Sequence, residues 1–184
     1  MVIYIYHGEY KDKREELTRE ALELYAREEL GLPRTGLQIK KMEGGKPYLE
    51  GLTFHFSVSH TDGLWGCLAS ESNVGLDIQR IKAVDFNRLA GRFFHDDEKE
   101  FVKKTGIDGF FDVWVRKESC IKFFGGGLLK DIKSFSVVGD GKPAETVDYN
   151  GSLCHVNAFD MGADVKCAYC RGMGGVRLWT RELR

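Results

Sequence analysis

The chain contains little proline and has almost no net charge. Three prolines in 184 residues argue against long disordered linkers, so we expect the whole chain to fold. A net charge of -1 gives no general attraction for nucleic acid or for an anionic membrane surface. Any binding of phosphate groups must therefore come from local clusters of basic side chains.

Long apolar runs and a secretion signal are also missing. No window approaches the roughly 18 apolar residues that a membrane span needs. The first residues lack a basic segment followed by an apolar stretch. We therefore expect a cytoplasmic protein without a membrane or nucleic-acid partner. The length suits one full core or two small ones, and we interpret the chain as one compact unit.

The cysteines do not suggest a disulfide framework. There are five of them, an odd number, and without a secretion signal free thiols are favoured. Cys167 and Cys170 form a C-x-x-C, with Cys154 and His155 nearby in sequence. The segment VKCAYC is typical of a strand, where positions i and i+3 face opposite sides and cannot readily share a metal. We expect ordinary strand packing, with zinc or redox use as the alternative.

Hydrophobic periodicity predicts a mixed α+β fold. A helix is expected at 12–30, followed after residue 85 by helices at 85–94, 95–104 and 110–124, the last ended by Gly125 to Gly127. Strands are expected at 2–6, 37–42, 53–59, 64–70, 74–79, 134–138, 153–159 and 164–170. The order of elements repeats, which predicts two similar halves, 1–72 and 73–184, each a small mostly antiparallel sheet with packed helices.

Acidic and basic residues stand at informative positions in the second half. Asp77 and Gln79 share one face of the strand, and an acid inside an apolar strand is costly unless it is paired, exposed or bound to a metal. On the last helix, Glu118 and Lys122 are four residues apart and share a stripe with Trp114. The alternative is a surface Glu–Lys ion pair without function.

Two further segments offer polar groups that suit a ligand. Ser59 and His60 end a predicted strand, and Lys46 stands beside glycines and a proline. The alternative for each is an ordinary turn. A serine-hydrolase triad is not expected, because adjacent residues in a strand point apart. The glycines at 125–127 do not match the phosphate loop G-x-x-x-x-G-K-[ST], which excludes that class of nucleotide triphosphatase.

Two converging carboxylates suit Mg²⁺, which takes one or two protein acids and completes its shell with water or substrate phosphates. Lysines and a histidine around such a centre would neutralise further phosphate charge. The residues themselves therefore predict magnesium-assisted chemistry on a polyphosphate ester.

A series of short motifs resembles a known family. The chain resembles the 4′-phosphopantetheinyl transferases of the surfactin-synthetase-activating (Sfp) type from about Lys13 to Arg171. Each motif is weak by itself, but seven in the right order are highly specific. The motifs are GKPY, F-x-x-SH, G-x-D-I, RFF-x-x-x-E, W-x-x-KES-x-IK-x-x-G-x-GL, D-x-x-SFSV and K-x-A-x-C.

The resemblance implies a reaction and a fold. It implies transfer of the phosphopantetheine arm of coenzyme A to a serine of an apo acyl or peptidyl carrier protein, with release of adenosine 3′,5′-bisphosphate. Such carriers serve fatty acid, polyketide or nonribosomal peptide synthesis. The implied cofactor is Mg²⁺, with Mn²⁺ as an alternative. The implied fold has two pseudo-symmetric halves, of which residues 73–184 carry the metal site, and we expect a monomer.

The resemblance also implies roles for individual residues. Asp77 and Glu118 match the magnesium acids, and Glu118 also matches an acceptor for the proton of the carrier serine, directly or through water. Lys122 matches a contact to the phosphate that stabilises the leaving group. The remaining matches, all to positions around coenzyme A, are Lys117, Lys46, Ser59 and His60.

Two departures from the family pattern stand out. Gln79 replaces a second strand acid, so it would hold the metal by its amide oxygen or through water, and metal affinity should fall. The chain is short at its N-terminus, where Arg14 is the expected replacement for missing basic residues. Phe86 and Leu89 match a carrier-docking surface, whereas core packing is the alternative for Phe93 and Phe94.

Two other functions remain open from the residues. A coenzyme A or carrier-binding protein without activity would follow if Gln79 had removed metal competence. A magnesium-dependent phosphodiesterase would release adenosine bisphosphate without a carrier.

Overall fold

The structure, a computed structural model, describes residues 1–32, 37–41, 45–125, 132–175 and 177–184. Its helices are α1 (Arg14–Glu28), α2 (Phe86–Phe93) and α3 (Asp96–Phe124), with a 3-10 turn at Lys11–Lys13. Its strands are β1 (Val2–His7), β2 (Ile39–Lys41), β3 (Pro47–Leu49), β4 (His55–Thr61), β5 (Leu64–Ser70), β6 (Val74–Arg80), β7 (Val138–Gly139), β8 (Lys142–Pro143), β9 (Thr146–Tyr149), β10 (Ser152–Asp160), β11 (Val165–Arg171) and β12 (Trp179–Glu182). The predicted α+β class is confirmed.

Within the described residues, the longer strands form two four-stranded sheets. The first sheet has the order β12-β1-β5-β4 and the second has the order β6-β11-β10-β9. All pairs are antiparallel except β1 with β12. The helix α1 covers the first sheet through its apolar stripe, including Leu17 and Tyr25, which pack with Trp65 in one core. The helix α3 crosses the second sheet, and its Val113 and Cys120 lie in a second core.

The two sheets are joined along β4 and β6, which contact each other at the edges of their sheets. Side chains of Ser57, Ser59 and Thr61 alternate along β4, and each hydroxyl accepts a hydrogen bond of 3.0 Å from a backbone N–H of β6. A third core, which includes Ile5 and Ile78, lies between the two sheets. This edge contact fixes β6, and therefore Asp77, relative to the first sheet. The three donors are the N–H groups of Leu76, Ile78 and Arg80.

The helices after residue 85 largely follow the prediction. The helices predicted at 95–104 and 110–124 form one segment, α3, which is interrupted at Gly106 (φ 67°, ψ -149°). The side chain of His95 caps the start of the helix. In return, Glu98 Oε2 accepts a hydrogen bond of 2.8 Å from the backbone N–H of His95. Gly125 ends the helix in the left-handed conformation at φ 72°. Gly126 and Gly127, predicted to share this stop, lie outside the described residues.

The strand predictions fail at several points. Of the strand predicted at 134–138 only Val138 is in a strand, because this segment forms turns on the way to a short hairpin. The strands β3, β9 and β12 were not predicted. The pairing of β12 with β1, in register Val2 with Trp179, returns the end of the chain to the first sheet. One strand of the predicted second half therefore belongs to the first sheet, and the division into 1–72 and 73–184 stays a prediction. No helix in the described part of the chain is long and apolar enough to cross a membrane.

Candidate active site

Asp77 is the centre of the candidate site. It lies in β6 and is 3% exposed. Its Oδ1 accepts hydrogen bonds from Ser59 Oγ at 2.9 Å and from Lys122 Nζ at 2.8 Å. Its Oδ2 is buried and has no partner among the described residues. Because a buried carboxylate oxygen without a partner is costly, this atom fits a bound cation.

Glu118 stands beside Asp77 on the facing helix. It is half-buried on α3. Burial raises the pKa of Glu118, the negative charge of Asp77 raises it further, and Lys122 lowers it. Two acids that repel each other in a partly buried position attract a divalent cation, which relieves both the repulsion and the loss of solvation. The donor set therefore fits Mg²⁺.

Lys122 contacts Asp77 and lies on the same stripe of α3 as Glu118. Its Nζ donates to Asp77 Oδ1 and to the carbonyl of Leu76 at 2.9 Å. The side chain remains 29% exposed. A third acceptor, the carbonyl of Val58, is more distant at 3.5 Å, so a phosphate group at this partly exposed ammonium can take its place. The structure thus brings together three residues that the sequence singled out.

Gln79 lies on the same face of β6 as Asp77. It is half-buried, whereas Ile78 between them points into the core between the sheets. Among the described residues, no third carboxylate, histidine or cysteine joins Asp77 and Glu118. An amide oxygen is a weaker ligand than a carboxylate, so the role of Gln79 at a metal stays a prediction.

A cavity of about 490 Å³ lies on the other face of β4. Val58 and His60 line it, while Ser59 between them points toward β6. The predicted Arg14 and His60 both line this cavity, and Arg19 and Lys41 add two positive charges that the sequence analysis missed. The available signal for Arg19 was the spacing on α1, where Glu15 and Arg19 are four residues apart, whereas no local pattern pointed to Lys41 on β2. The other lining residues are Glu15, Thr18, Ile39, Pro47, Phe56 and Trp65.

His60 lies on the cavity face of β4, opposite to Ser59 and Asp77. Its Nδ1 lies 3.3 Å from the hydroxyl of Tyr10, and the two rings are 5.1 Å apart. Burial lowers the pKa of His60, as do the positive charges of Arg14 and Lys122. The same positive surroundings favour an anion at the cavity mouth.

Ser59 differs from its predicted role. It is 4% exposed, donates to Asp77 and accepts from the N–H of Ile78. Its hydroxyl is thus committed to the site and to the contact between sheets, and it does not line the cavity. In this structure Ser59 positions Asp77 and has no surface for coenzyme A.

Lys46 lies between the end of α3 and the start of β6. Its Nζ donates to Asn73 Oδ1 at 2.7 Å, to the carbonyl of Val74 at 3.1 Å and to that of Phe123 at 3.3 Å. Burial lowers the pKa of Lys46 to about 8. Lys46 therefore ties the C-terminal end of α3 to the start of β6. Direct contact with coenzyme A stays a prediction, since Lys46 does not line the cavity.

Lys117 lies in the core, and its predicted contact with coenzyme A stays a prediction. It has no exposed surface, and its Nζ donates to Glu98 Oε1 at 2.7 Å and to the carbonyl of Phe135 at 2.6 Å. Glu98 Oε1 also accepts from the N–H of Val137 at 2.8 Å. A side chain enclosed in this way cannot contact coenzyme A without leaving its partners. The sequence analysis missed Glu98, although it belongs to the RFF-x-x-x-E motif.

Phe86 and Leu89 lie on α2, away from the cavity lining. Both are half-buried and pack partly against the core beneath α3. Phe94 is fully buried, as the core alternative required, and Phe93 packs edge-on against Trp114. The docking role of Phe86 and Leu89 stays a prediction.

Comparisons with known proteins find similar sequences. Residues 73–170 match the family model described as the 4′-phosphopantetheinyl transferase superfamily. The chain is 35% identical over 124 residues to the 4′-phosphopantetheinyl transferase gsp of Aneurinibacillus migulanus, covering 65% of this chain and 51% of that protein. It is 31% identical over 147 residues to the 4′-phosphopantetheinyl transferase Sfp of Bacillus subtilis, covering 76% and 65%.

A mammalian protein is similar over a smaller region. The L-aminoadipate-semialdehyde dehydrogenase-phosphopantetheinyl transferase of Mus musculus is 31% identical over 121 residues, which cover 55% of this chain and 38% of that protein. The chain thus matches about half to two thirds of the length of its bacterial relatives.

Proposed function

Because this chain belongs to the 4′-phosphopantetheinyl transferase superfamily, we propose that it transfers the phosphopantetheine arm of coenzyme A to an apo acyl or peptidyl carrier protein. The observation that carries the proposal is the joint position of Asp77, Glu118 and Lys122 behind a basic cavity. The serine oxygen of the carrier forms a bond to the phosphorus that bears pantetheine. The bridging P–O bond breaks, and adenosine 3′,5′-bisphosphate leaves.

Asp77 and Glu118 would hold one Mg²⁺, or Mn²⁺ in its place, with the amide oxygen of Gln79 acting directly or through water. When bound, the ion supplies positive charge that offsets the charge of the pyrophosphate. The free Oδ2 of Asp77 and the raised pKa of Glu118 support this assignment.

Glu118 accepts the proton of the carrier serine, directly or through water. Burial raises the pKa of Glu118, and a carboxylate with a raised pKa is a stronger base than one with an ordinary pKa. Its position on α3 also leaves it half-exposed, so an incoming hydroxyl has access.

Lys122 stabilises the phosphate that departs. Two close acceptors fix its ammonium, so it donates to a phosphate oxygen by giving up only the long contact with the carbonyl of Val58. Such donors contribute most when charge develops in the transition state.

The cavity holds the nucleotide part of coenzyme A. Arg14, Arg19 and Lys41 supply positive charge for the 3′-phosphate, and the apolar lining includes Pro47 and Ile39. His60 lines this cavity from β4, whereas its neighbour Ser59 contacts Asp77 on the opposite face of the strand. Phe86 and Leu89 on α2 meet the carrier. All these residues come from one chain, so a monomer is sufficient.

The test is the incubation of the full chain with coenzyme A, Mg²⁺ and several apo carrier proteins, followed by mass spectrometry. The carrier should gain the mass of the phosphopantetheine arm, and Asp77→Ala should abolish this gain. Binding of coenzyme A by calorimetry without any mass gain would instead indicate an inactive binding protein. Release of adenosine bisphosphate without a carrier would indicate a phosphodiesterase.

A further inference from the structure

Three cysteine thiols converge in the core beneath α3. Cys120 of α3, Cys154 of β10 and Cys170 of β11 are all buried, and their Sγ atoms lie within 4.8 Å of one another. We propose that these three residues form a thiolate site for a soft metal ion that links α3 to the second sheet. The proposal does not depend on the transferase activity.

The register of the strands explains why the thiols meet. Cys170 is opposite Val156, so Cys154 lies diagonally from Cys170 on the same face of the sheet. Cys120 points down from the helix that crosses this face, into the same core. Cys167 lies in the core between the sheets, on the other side of β11. The two cysteines of the C-x-x-C therefore face opposite sides of the sheet, as predicted from the sequence. The thiol of Cys170 instead lies close to Cys120 of α3 and Cys154 of β10.

The spacing of the sulfur atoms suits a metal. With metal–sulfur bonds of about 2.3 Å, three ligands in a plane have sulfurs about 4.0 Å apart. The observed upper bound of 4.8 Å needs only a small contraction. By contrast, diagonal residues in a sheet have Cα atoms about 7 to 8 Å apart, beyond the roughly 6.8 Å limit of a disulfide. A disulfide between Cys154 and Cys170 would therefore require the backbone to move.

Ligand number and charge select the class of ion. Thiolates bind soft ions such as Cu⁺ and Zn²⁺. Among the described residues, no fourth cysteine, histidine or carboxylate joins the group, which favours an ion that accepts three ligands, such as Cu⁺. Three thiolates with Zn²⁺ leave a smaller buried negative charge than with Cu⁺, which favours Zn²⁺. Ligand number thus favours Cu⁺ and charge favours Zn²⁺, so binding of each ion is measured separately.

The test uses the full chain, reduced and freed of metal by a chelator. Zn²⁺ and, under anaerobic conditions, Cu⁺ are titrated against a competing chelator, and thermal unfolding is followed with and without each ion. One ion per chain should bind in at least one arm and raise the unfolding temperature. Binding releases protons from the thiols, which the buffer must absorb.

Serine variants locate the ion. Cys120→Ser, Cys154→Ser and Cys170→Ser each remove a direct ligand, so each should weaken binding by more than the roughly 10- to 100-fold that loss of an outer-shell partner typically costs. Cys67→Ser and Cys167→Ser are matched controls, since both remove a buried thiol from another core, and should leave affinity unchanged.

X-ray absorption at the metal edge counts the sulfur atoms bound to the ion, and three are expected. Because it uses the unmodified protein, misfolding of a variant cannot affect the result. Fewer than three sulfurs, no binding in either arm, or full affinity in the serine variants would overturn the proposal. So would a disulfide that forms among these cysteines in air, without any metal binding.

Discussion

Lys122 and Asp77 form an ion pair in which Nζ and Oδ1 are 2.8 Å apart. A cation bound to Asp77 would compete with this ammonium for the same carboxylate. Asp77 is almost fully buried, so its charge must be balanced by Lys122, by a metal or by both. The pair therefore links metal affinity to the chemistry of the leaving phosphate.

Replacement of Lys122 should separate these two effects. Lys122→Met removes the competing cation, so Mg²⁺ should bind the free protein several-fold more tightly. Transfer should nevertheless fall by about 100-fold or more, the usual effect of losing one electrostatic donor. Calorimetry and carrier assays measure the two quantities. Lys82→Met, which alters an exposed lysine after β6, should change neither. Weaker metal binding in Lys122→Met would contradict the competition.

Ser59 should matter for the metal, whereas Ser57 should not. Both hydroxyls accept a 3.0 Å hydrogen bond from β6, but only Ser59 also donates to Asp77. Ser59→Ala and Ser57→Ala should each cost about 1 to 3 kcal/mol of unfolding free energy, because a buried N–H loses its acceptor. Denaturant unfolding checks this. Only Ser59→Ala should also alter Mg²⁺ affinity, and equal affinities in the two variants would refute the positioning role.

The raised pKa of Glu118 predicts a stability that depends on pH. A raised pKa means that the folded metal-free protein binds this proton more tightly than the unfolded chain does. Below about pH 4, the ordinary pKa range of a glutamate, Glu118 is protonated in both states and does not destabilise the fold. As pH rises above that range the destabilisation grows, and it is complete once pH exceeds the raised pKa of the folded protein. Glu118→Gln should accordingly be more stable than the unmodified protein at pH 7 but not at low pH.

Thermal unfolding of both proteins across this pH range, without metal, measures the difference. Glu100→Gln on an exposed face of α3 is the control, because Lys103 lowers the pKa of Glu100, so its pH dependence should have the opposite sign. A difference that does not change with pH would show that the charge of Glu118 is not the cause.

The buried pair of Lys117 and Glu98 should hold α3 in place. Lys117→Met leaves the Glu98 carboxylate buried with one fewer donor, which typically costs about 3 to 5 kcal/mol. Chemical denaturation measures the loss. Lys99→Met, which breaks the exposed pair with Asp96 on the same helix, should have little effect. If Lys117→Met instead kept its stability and lost affinity for coenzyme A, the direct contact predicted from the sequence would be correct.

The sequence predicted the local elements and the acids better than the contacts between elements. Asp77 and Glu118 were identified because a strand acid and a helix acid stand out against apolar periodicity. The role of Ser59 was not, because a period of two shows which face it shares but not that β6 lies beside that face. The pairing of β12 with β1 joins opposite ends of the chain, and no local pattern encodes it. Lys117 resembles a ligand in sequence because its partner, Glu98, is 19 residues away and reaches it only because the chain turns at Gly106.

Gln79 provides the last prediction. It shares a face of β6 with Asp77, so Gln79→Glu would place a third carboxylate near the two acids. The added charge should strengthen Mg²⁺ binding by about 10-fold or more, since a carboxylate replaces a neutral amide. Without metal the same change should destabilise the fold, because three like charges then share one partly buried site. Calorimetry with Mg²⁺ and thermal unfolding in chelator measure the two effects. Gln38→Glu, outside this site, is the control, and unchanged affinity in Gln79→Glu would place the metal away from this face of β6.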